Sequence, residues 1–302
     1  MIDVPIGLVG AYYGGTNIDA WTPRSGYENH PELAKERDYK VVDLAGWKAE
    51  NRKGSGVISG VQQQPTVLWN TMLAPWATFA ARGFIWYQGC HNNGESQFYC
   101  AKLHALYNGW AKAFANPDLK LYLVQLAPFN QNWMGICAAQ NKFVAEEKNA
   151  AIAVTADVGN FKDIHPNRKE IVAKRLVVHA LKRDYGFAIP EDDSPVFKSV
   201  SFADGKATLK FDHVKSWYVY DPEPWIEPPF ELAGTNGVWT AAKLVNEVNR
   251  NWWEGSAVKG VDLVLEAEGV KEPVKVRYMG RDKTMGDLFN EASLPLGPFE
   301  TK

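Results

Sequence analysis

The chain has 302 residues, 46% hydrophobic and 23% charged, the make-up of a globular protein with one large domain or two smaller ones. Its formal net charge of -2 offers nothing that draws in nucleic acid or acidic membrane over long range. Three cysteines, Cys90, Cys100 and Cys137, are too few for a disulfide framework. No CxxC or HExxH spacing points to a zinc site, and no apolar run approaches the roughly eighteen residues of a membrane helix.

In chain order, "VPIGLVGAYYGGT" predicts a strand ending in a tight turn at Gly14-Gly15. The opening "MIDVPIGLVG" lacks the charged n-region and cleavage site of a secretory signal. "YENHPELAKERDYK" predicts a helix and "NRKGSGVISGVQQQP" a loop. "TVLWNTMLAPWATFA" is helical, its proline marking a kink or a new start. "GFIWYQG" predicts a strand, "SQFYCAKLHALYNGWAKAF" a long amphipathic helix, "LKLYLVQLAPF" a strand, "GICAAQNKFVAEEK" a helix and "AAIAVTADVGN" a strand. "PNRKEIVAKRLVVHALKRDYG" predicts a helix with Pro166 near its start and Gly186 at its end, burying Val172, Leu176, Val177 and Ala180. Strands alternating with helices imply an α/β fold with a mostly parallel sheet.

After "AIPEDDSPVF" the pattern becomes short alternating runs such as "KSVSF", "KATLKF" and "VKVRYM". Asp204-Gly205 and Asn236-Gly237 are hairpin signals between such runs. The expected organisation is an α/β domain over residues 1–188 and a β-sandwich-like all-β domain over residues 189–302.

In parallel α/β sheets, ligands bind at the carboxyl ends of strands. Three such ends carry unusual polar residues here: Gly14-Gly15-Thr16, Gln88 to Asn92, and "DVGNFKDIHPNRK". A Gly15 backbone N–H, an Asn92 side-chain N–H and His165 as general base make an oxyanion hole plus a base, the equipment of acyl transfer. A Gly-Gly pair is also an ordinary turn, an Asn after a strand an ordinary cap, and a His before Pro an ordinary helix entry. The 12 Trp, 12 Tyr and 14 Phe suit a glycan ligand as well as a core.

The blocks "VPIGLVGAYYGGTNIDAW", "GFIWYQGCHNN", "LYLVQLAPF", "DVGNFKDIHPNRK" and "VKVRYM…LFNEASLPLGPFETK" come in the order of the sialate O-acetylesterase family, which the chain resembles from about residue 4 to its end. The resemblance implies a carbohydrate esterase with the SGNH-hydrolase fold, a flavodoxin-like three-layer parallel sheet, here truncated at its N-terminus, with a C-terminal all-β domain. It implies hydrolysis of an O-acetyl ester on a sugar, with sialic acid and a plant polysaccharide such as xylan both open as the carrier. Asn92 and Gly15, with Gly14 as alternative, become the oxyanion donors, and His165 the base. Asp163, two residues before His165, is the first choice to orient it and Asp157 the reserve. Gln88 and Trp21 are the expected substrate contacts. No metal and no cofactor are called for, and the family's usual export to periplasm, cell surface or lysosome leaves localisation open.

Two departures stand out. The family's nucleophile is the Ser of a Gly-Gln-Ser-Asn block, and neither that block nor Gly-Asp-Ser occurs in the sequence. Ser55, Ser59 and Ser96 lie in other contexts, and Cys90 is a second candidate nucleophile. Ile136-Cys137-Ala138-Ala139-Gln140 stands where relatives often read like "LREAQ". The expectations are impaired turnover, a complementing N-terminal segment or a homo-oligomer formed across an exposed sheet edge, or a non-catalytic glycan-binding remnant.

Overall fold

The computed structural model describes residues 5–38, 52–53, 57–58, 60–219, 229–249 and 256–301. The chain forms two compact units, residues 1–121 with 139–150, and residues 122–138 with 151–302. The boundary expected near residue 188 falls inside the second unit. Among the described residues, no helix is long and apolar enough to cross a membrane.

In the first unit, residues 5–13 carry no regular structure, and Ile6, Leu8, Val9, Tyr12 and Tyr13 are exposed. The apolar run predicts a strand, but a strand needs a hydrogen-bonding neighbour, and among the described residues none pairs with it. The turn at Gly14-Gly15 is present, with Gly15 at a φ of 69° that favours glycine. The predicted helix over 27–40 is instead a 3₁₀ turn at Pro31–Leu33 and one α-helical turn at Ala34–Arg37, after a further 3₁₀ turn at Arg24–Tyr27. Pro31 has no N–H to continue a longer helix. Residues Arg52–Lys53 and Val57–Ile58 pair antiparallel within the expected loop. Ser55 and Ser59 lie outside the described residues. The next helical stretch winds as π-helix over Trp69–Leu73 and restarts as 3₁₀ over Ala74–Trp76, with Pro75 in the new turn as its ring requires.

The α/β elements then follow as β1 (Gly83–Trp86), α1 (Ser96–Ala113), β2 (Lys120–Val124), α2 (Met134–Glu146), β3 (Ala150–Ala153) and α3 (Lys169–Arg183). The sheet order is β1-β2-β3. Leu121 N–H donates to Asn149 O at 3.1 Å and Gln125 N–H to Ala153 O at 3.0 Å, so β2 and β3 run parallel. On α1, Tyr99, Leu103, Leu106 and Trp110 recur at helical spacing and are buried. Trp110 packs on Phe84 and Trp86 of β1. Gly26 and Gly109 let the Arg24–Tyr27 turn lie directly on α1, since a Cβ at Gly26 would stand 2.1 Å from the Ala105 carbonyl oxygen.

In the second unit, α3 buries Val172, Arg175, Leu176 and His179. Val177 is 52% exposed, so the predicted apolar face is displaced by the spacing of Arg175 and His179, whose polar atoms find partners inside. The region after residue 195 is antiparallel β: β4 (Val196–Ala203), β5 (Lys206–Asp212), β6 (Trp217–Val219), β7 (Phe230–Ala233), β8 (Trp239–Leu244), β9 (Val248–Asn249), β10 (Ser256–Val258), β11 (Leu263–Ala267), β12 (Lys275–Tyr278), β13 (Leu288–Phe289) and β14 (Phe299–Glu300). They form sheets of order β14-β12-β7-β8-β11-β5-β4 and β9-β10-β6-β13. Ala207, Leu209 and Phe211 alternate inward on β5 and join Trp217, Leu232, Leu265, Val276 and Leu288 in one core shared by both sheets. Asp204 and Gly205 both have positive φ in the tight β4–β5 hairpin, and Gly237 takes the same role between β7 and β8.

Candidate active site

The first unit holds the candidate oxyanion donors. β1 ends at Trp86, and the chain passes through Gly89, at φ 152°, into a 3₁₀ segment over Cys90–Glu95 that leads into α1. This exit sets Asn92 under the chain that follows the Gly14-Gly15 turn. Asn92 is 1% exposed. Its Oδ1 accepts the Ile18 N–H at 3.0 Å and the Gln88 Nε2–H at 2.8 Å, and its Nδ2 donates to Glu95 Oε2 at 3.0 Å. Two donors on the oxygen fix which way the amide faces, and Nδ2 keeps a second N–H to give. Gln88 is itself oriented: its Nε2 also donates to the Thr16 carbonyl at 2.9 Å, and its Oε1 accepts from Tyr99 Oη at 2.7 Å.

The Gly14-Gly15 turn is tied to the same network. The Gly15 carbonyl accepts from Gln63 Nε2, and Thr16 Oγ1 accepts the Trp21 indole N–H at 2.9 Å. Trp21 is 4% exposed and meets Trp86 edge-on, so its ring lies in the core of the unit. Gln88 and Trp21 hold the segments that carry Asn92 and Gly15.

A buried charge cluster, absent from the sequence-derived expectations, completes the support. Lys102 is 1% exposed. Its Nζ donates to Asp19 Oδ2 at 2.9 Å and Glu95 Oε2 at 2.8 Å, and Tyr27 Oη donates to Asp19 Oδ1 at 3.2 Å. Burial would raise the Glu95 carboxyl, but the hydrogen bond and charge of Lys102, with the Asn92 hydrogen bond, hold it below the usual carboxylate range. Glu95 is therefore an ionised acceptor for Asn92, and Lys102 balances its charge. The available signal was a lysine inside the apolar stripe of α1, where only a paired charge survives burial.

The second unit holds the candidate base. His165 follows a bend, and its Nδ1 lies 3.2 Å from Asp163 Oδ1, which also accepts the His165 backbone N–H at 2.9 Å. That backbone hydrogen bond lowers the Asp163 carboxyl against the opposing effect of burial, and the imidazole contact adds to the lowering. Both side chains are open, His165 at 84% and Asp163 at 52% exposure. Asp157 is placed differently. Arg175 grips both its carboxylate oxygens, Nη1 at 2.7 Å and Nη2 at 2.9 Å, and Nη1 also donates to the Val154 carbonyl at 2.8 Å. A bidentate partner fills the lone pairs that would otherwise serve an imidazole.

Cys90 is half-buried, and burial pushes its thiol up, the reverse of what a thiolate nucleophile needs. Ser96 is the first residue of α1. Cys137 is buried in α2 beside fully buried Ile136.

The family described as "Carbohydrate esterase, sialic acid-specific acetylesterase" matches residues 50–175. The chain resembles that family over this stretch. Human sialate O-acetylesterase is 28% identical over 210 residues, covering 61% of this chain and 37% of the relative. The mouse protein of the same name is 26% identical over 246 residues, covering 70% of this chain and 46% of the relative. A crystal structure of a carbohydrate acetylesterase from Xanthomonas citri superposes with a TM-score of 0.76 at 27% identity, covering 99% of this chain and 62% of that one. The chain spans less than half the length of the curated relatives it matches.

Proposed function

We propose that this chain provides the oxyanion donors and the general base for hydrolysing an O-acetyl ester on a sugar, on an α/β domain of the SGNH-hydrolase type. The observation that carries the reading is the Asn92 amide, locked by two donors on its oxygen and left with an N–H to give. In the proposed reaction a serine attacks the acetyl carbonyl. Asn92 Nδ2 and the Gly15 backbone N–H stabilise the oxyanion, with Gly14 as the alternative donor. His165 takes the serine proton and returns it to the departing sugar oxygen, and water then releases acetate. Asp163 orients His165, a role supported by its contact with Nδ1, while Asp157 serves Arg175.

The serine is assigned to a complementing segment bearing the family's Gly-Gln-Ser-Asn block, because the sequence contains none. The chain alone should turn over slowly, since loss of the attacking residue of such a triad costs about 10⁶-fold. The test is p-nitrophenyl acetate and O-acetylated sugar turnover by the chain, with and without that segment. The expected result is a background rate alone, restored by the segment and lost again in His165→Ala. Restored turnover indifferent to His165→Ala, or turnover by the chain alone that Cys90→Ala abolishes, would overturn the assignment.

A further inference from the structure

Cys100 and His104 stand one turn apart on α1, and Glu146 meets them from the end of α2. His104 Nε2 is 2.9 Å from Glu146 Oε2, and Cys100 Sγ is 3.6 Å from the same oxygen. One ligand atom from each residue lies within 4.8 Å of the others. A tetrahedral ion with bonds of about 2.0–2.3 Å holds its ligand atoms roughly 3.3–3.8 Å apart, so small rotations of these side chains close a three-ligand set. The His104 side chain is 22% exposed and that of Glu146 45%, which leaves a path from solvent, while Cys100 lies deeper.

A second observation comes from His30, whose ring stacks on His104 at 6.4 Å between centroids and 17° between planes. Its Nδ1 lies 3.1 Å from Glu32 Oε1, and its Nε2 is buried with no hydrogen-bond partner. A carboxylate on Nδ1 fixes the tautomer that turns a lone pair out at Nε2, the arrangement found around metal sites. Buried polar atoms are nearly always satisfied, and a water on an ion bound beside it would give this nitrogen its donor.

Among the described residues, the other two carboxylate–histidine clusters already hold cations: Lys182 and Arg183 lie within 2.7 Å of Asp192, and Arg183 within 2.7 Å of Asp193. At Glu146, Lys142 reaches only Oε1, at 3.8 Å, and leaves Oε2 to Cys100 and His104. We propose that Cys100, His104 and Glu146 bind a zinc ion that clamps α1 to α2, with water in the fourth position. A thiolate with an imidazole selects zinc over calcium or magnesium. The Zn–S bond forms as the Cys100 S–H proton leaves to solvent. No zinc motif marks these donors in the sequence because they come from two helices, with a Cys-x₃-His spacing on one of them.

The experiment uses the full chain, free of affinity tag and stripped of metal, titrated with Co²⁺ and then Zn²⁺. The expected result is a thiolate-to-cobalt charge-transfer band with tetrahedral d–d absorption, saturating at a single equivalent and displaced by zinc. Cys100→Ser should abolish the charge-transfer band, and Cys90→Ser should keep it. Glu146→Gln should weaken zinc binding by at least ~10-fold, the scale on which even outer-shell changes act. Zinc should raise the unfolding temperature of the wild type and not of Glu146→Gln. Absence of the band, its survival in Cys100→Ser, or zinc affinity unchanged in Glu146→Gln would overturn the site. Should Cys100→Ser fail to fold, Glu146→Gln decides, because that side chain is 45% exposed.

Discussion

Asn92, in the first unit, is 1% exposed and hydrogen-bonded at both ends of its amide, whereas the His165 side chain, in the second, is 84% exposed and leans on a carboxylate two residues away. The first arrangement joins two near neighbours of Asn92, Gln88 and Glu95, to Ile18, 74 positions away, with Lys102 and Asp19 behind them. The second is a local turn. An oxyanion donor works by standing still while charge develops, which rewards a buried and over-determined amide. A base exchanges protons with its surroundings, and a short aspartate contact suffices to set its tautomer. The contrast teaches that the two halves of one proposed reaction are held by different physics, and so they should fail differently.

Lys102→Met strikes the buried half hardest. It leaves the Asp19 and Glu95 carboxylates without their shared cation, and removal of one partner from a buried pair costs about 3–5 kcal/mol. Urea unfolding should report a loss of that size, and a change under ~1 kcal/mol would mean the cluster does not support Asn92.

Asp192→Asn asks whether the second unit is loosely held or only its His165 turn is. Asp192 is 3% exposed and takes hydrogen bonds or ion pairs from His179, Lys182 and Arg183. Burial alone would raise its carboxyl, but those partners outweigh burial and hold it far below the usual range. A depressed folded pKa means the stabilisation is whole above the unfolded value of about 3.9 and is lost as pH falls toward the folded one. At neutral pH the substitution should cost roughly 2–3 kcal/mol, the scale of hydrogen bonds to charged groups. Urea midpoints measured below about pH 4 should fall more steeply for the wild type than for Asp192→Asn, and equal slopes would remove Asp192 from the acid transition.

Asn92→Ala leaves the Ile18 N–H and one of the two Gln88 amide N–H groups without an acceptor, for about 1–2 kcal/mol by the same unfolding measurement. In the complemented enzyme it should also lower turnover by about 10²–10³-fold. The smallest effect on stability is expected at the exposed pair. His165→Ala and Asp163→Asn should leave the unfolding temperature where it is while turnover falls. A marked drop in that temperature would show that the turn is structural and would erase the contrast.

The long periodic segments were legible in the sequence. The helical pattern of "SQFYCAKLHALYNGWAKAF" gave α1, and the apolar runs around residues 84, 121 and 151 gave the three parallel-sheet strands. Asp204-Gly205 and Asn236-Gly237 marked their hairpins because positive φ restricts which residues can stand there. The apolar run at 5–13 misled, since its hydrophobicity carries no information about whether a neighbouring strand exists. Val177 misled for a related reason: Arg175 and His179 took the buried face of α3 once the Asp157 carboxylate and backbone carbonyls were there to receive them.

By itself, the sequence determined which local conformations each segment could take, which polar residues follow which strands, and the order of blocks that resembles the sialate O-acetylesterase family. Those properties depend on neighbours a few residues away. Only the tertiary structure decided that Lys102 sits between two carboxylates, that Asp157 belongs to Arg175 and Asp163 to His165, and that Cys100, His104 and Glu146 converge. Such pairings join residues up to 83 positions apart, and a hydrogen bond or ion pair is set by distance in space, which sequence separation does not encode.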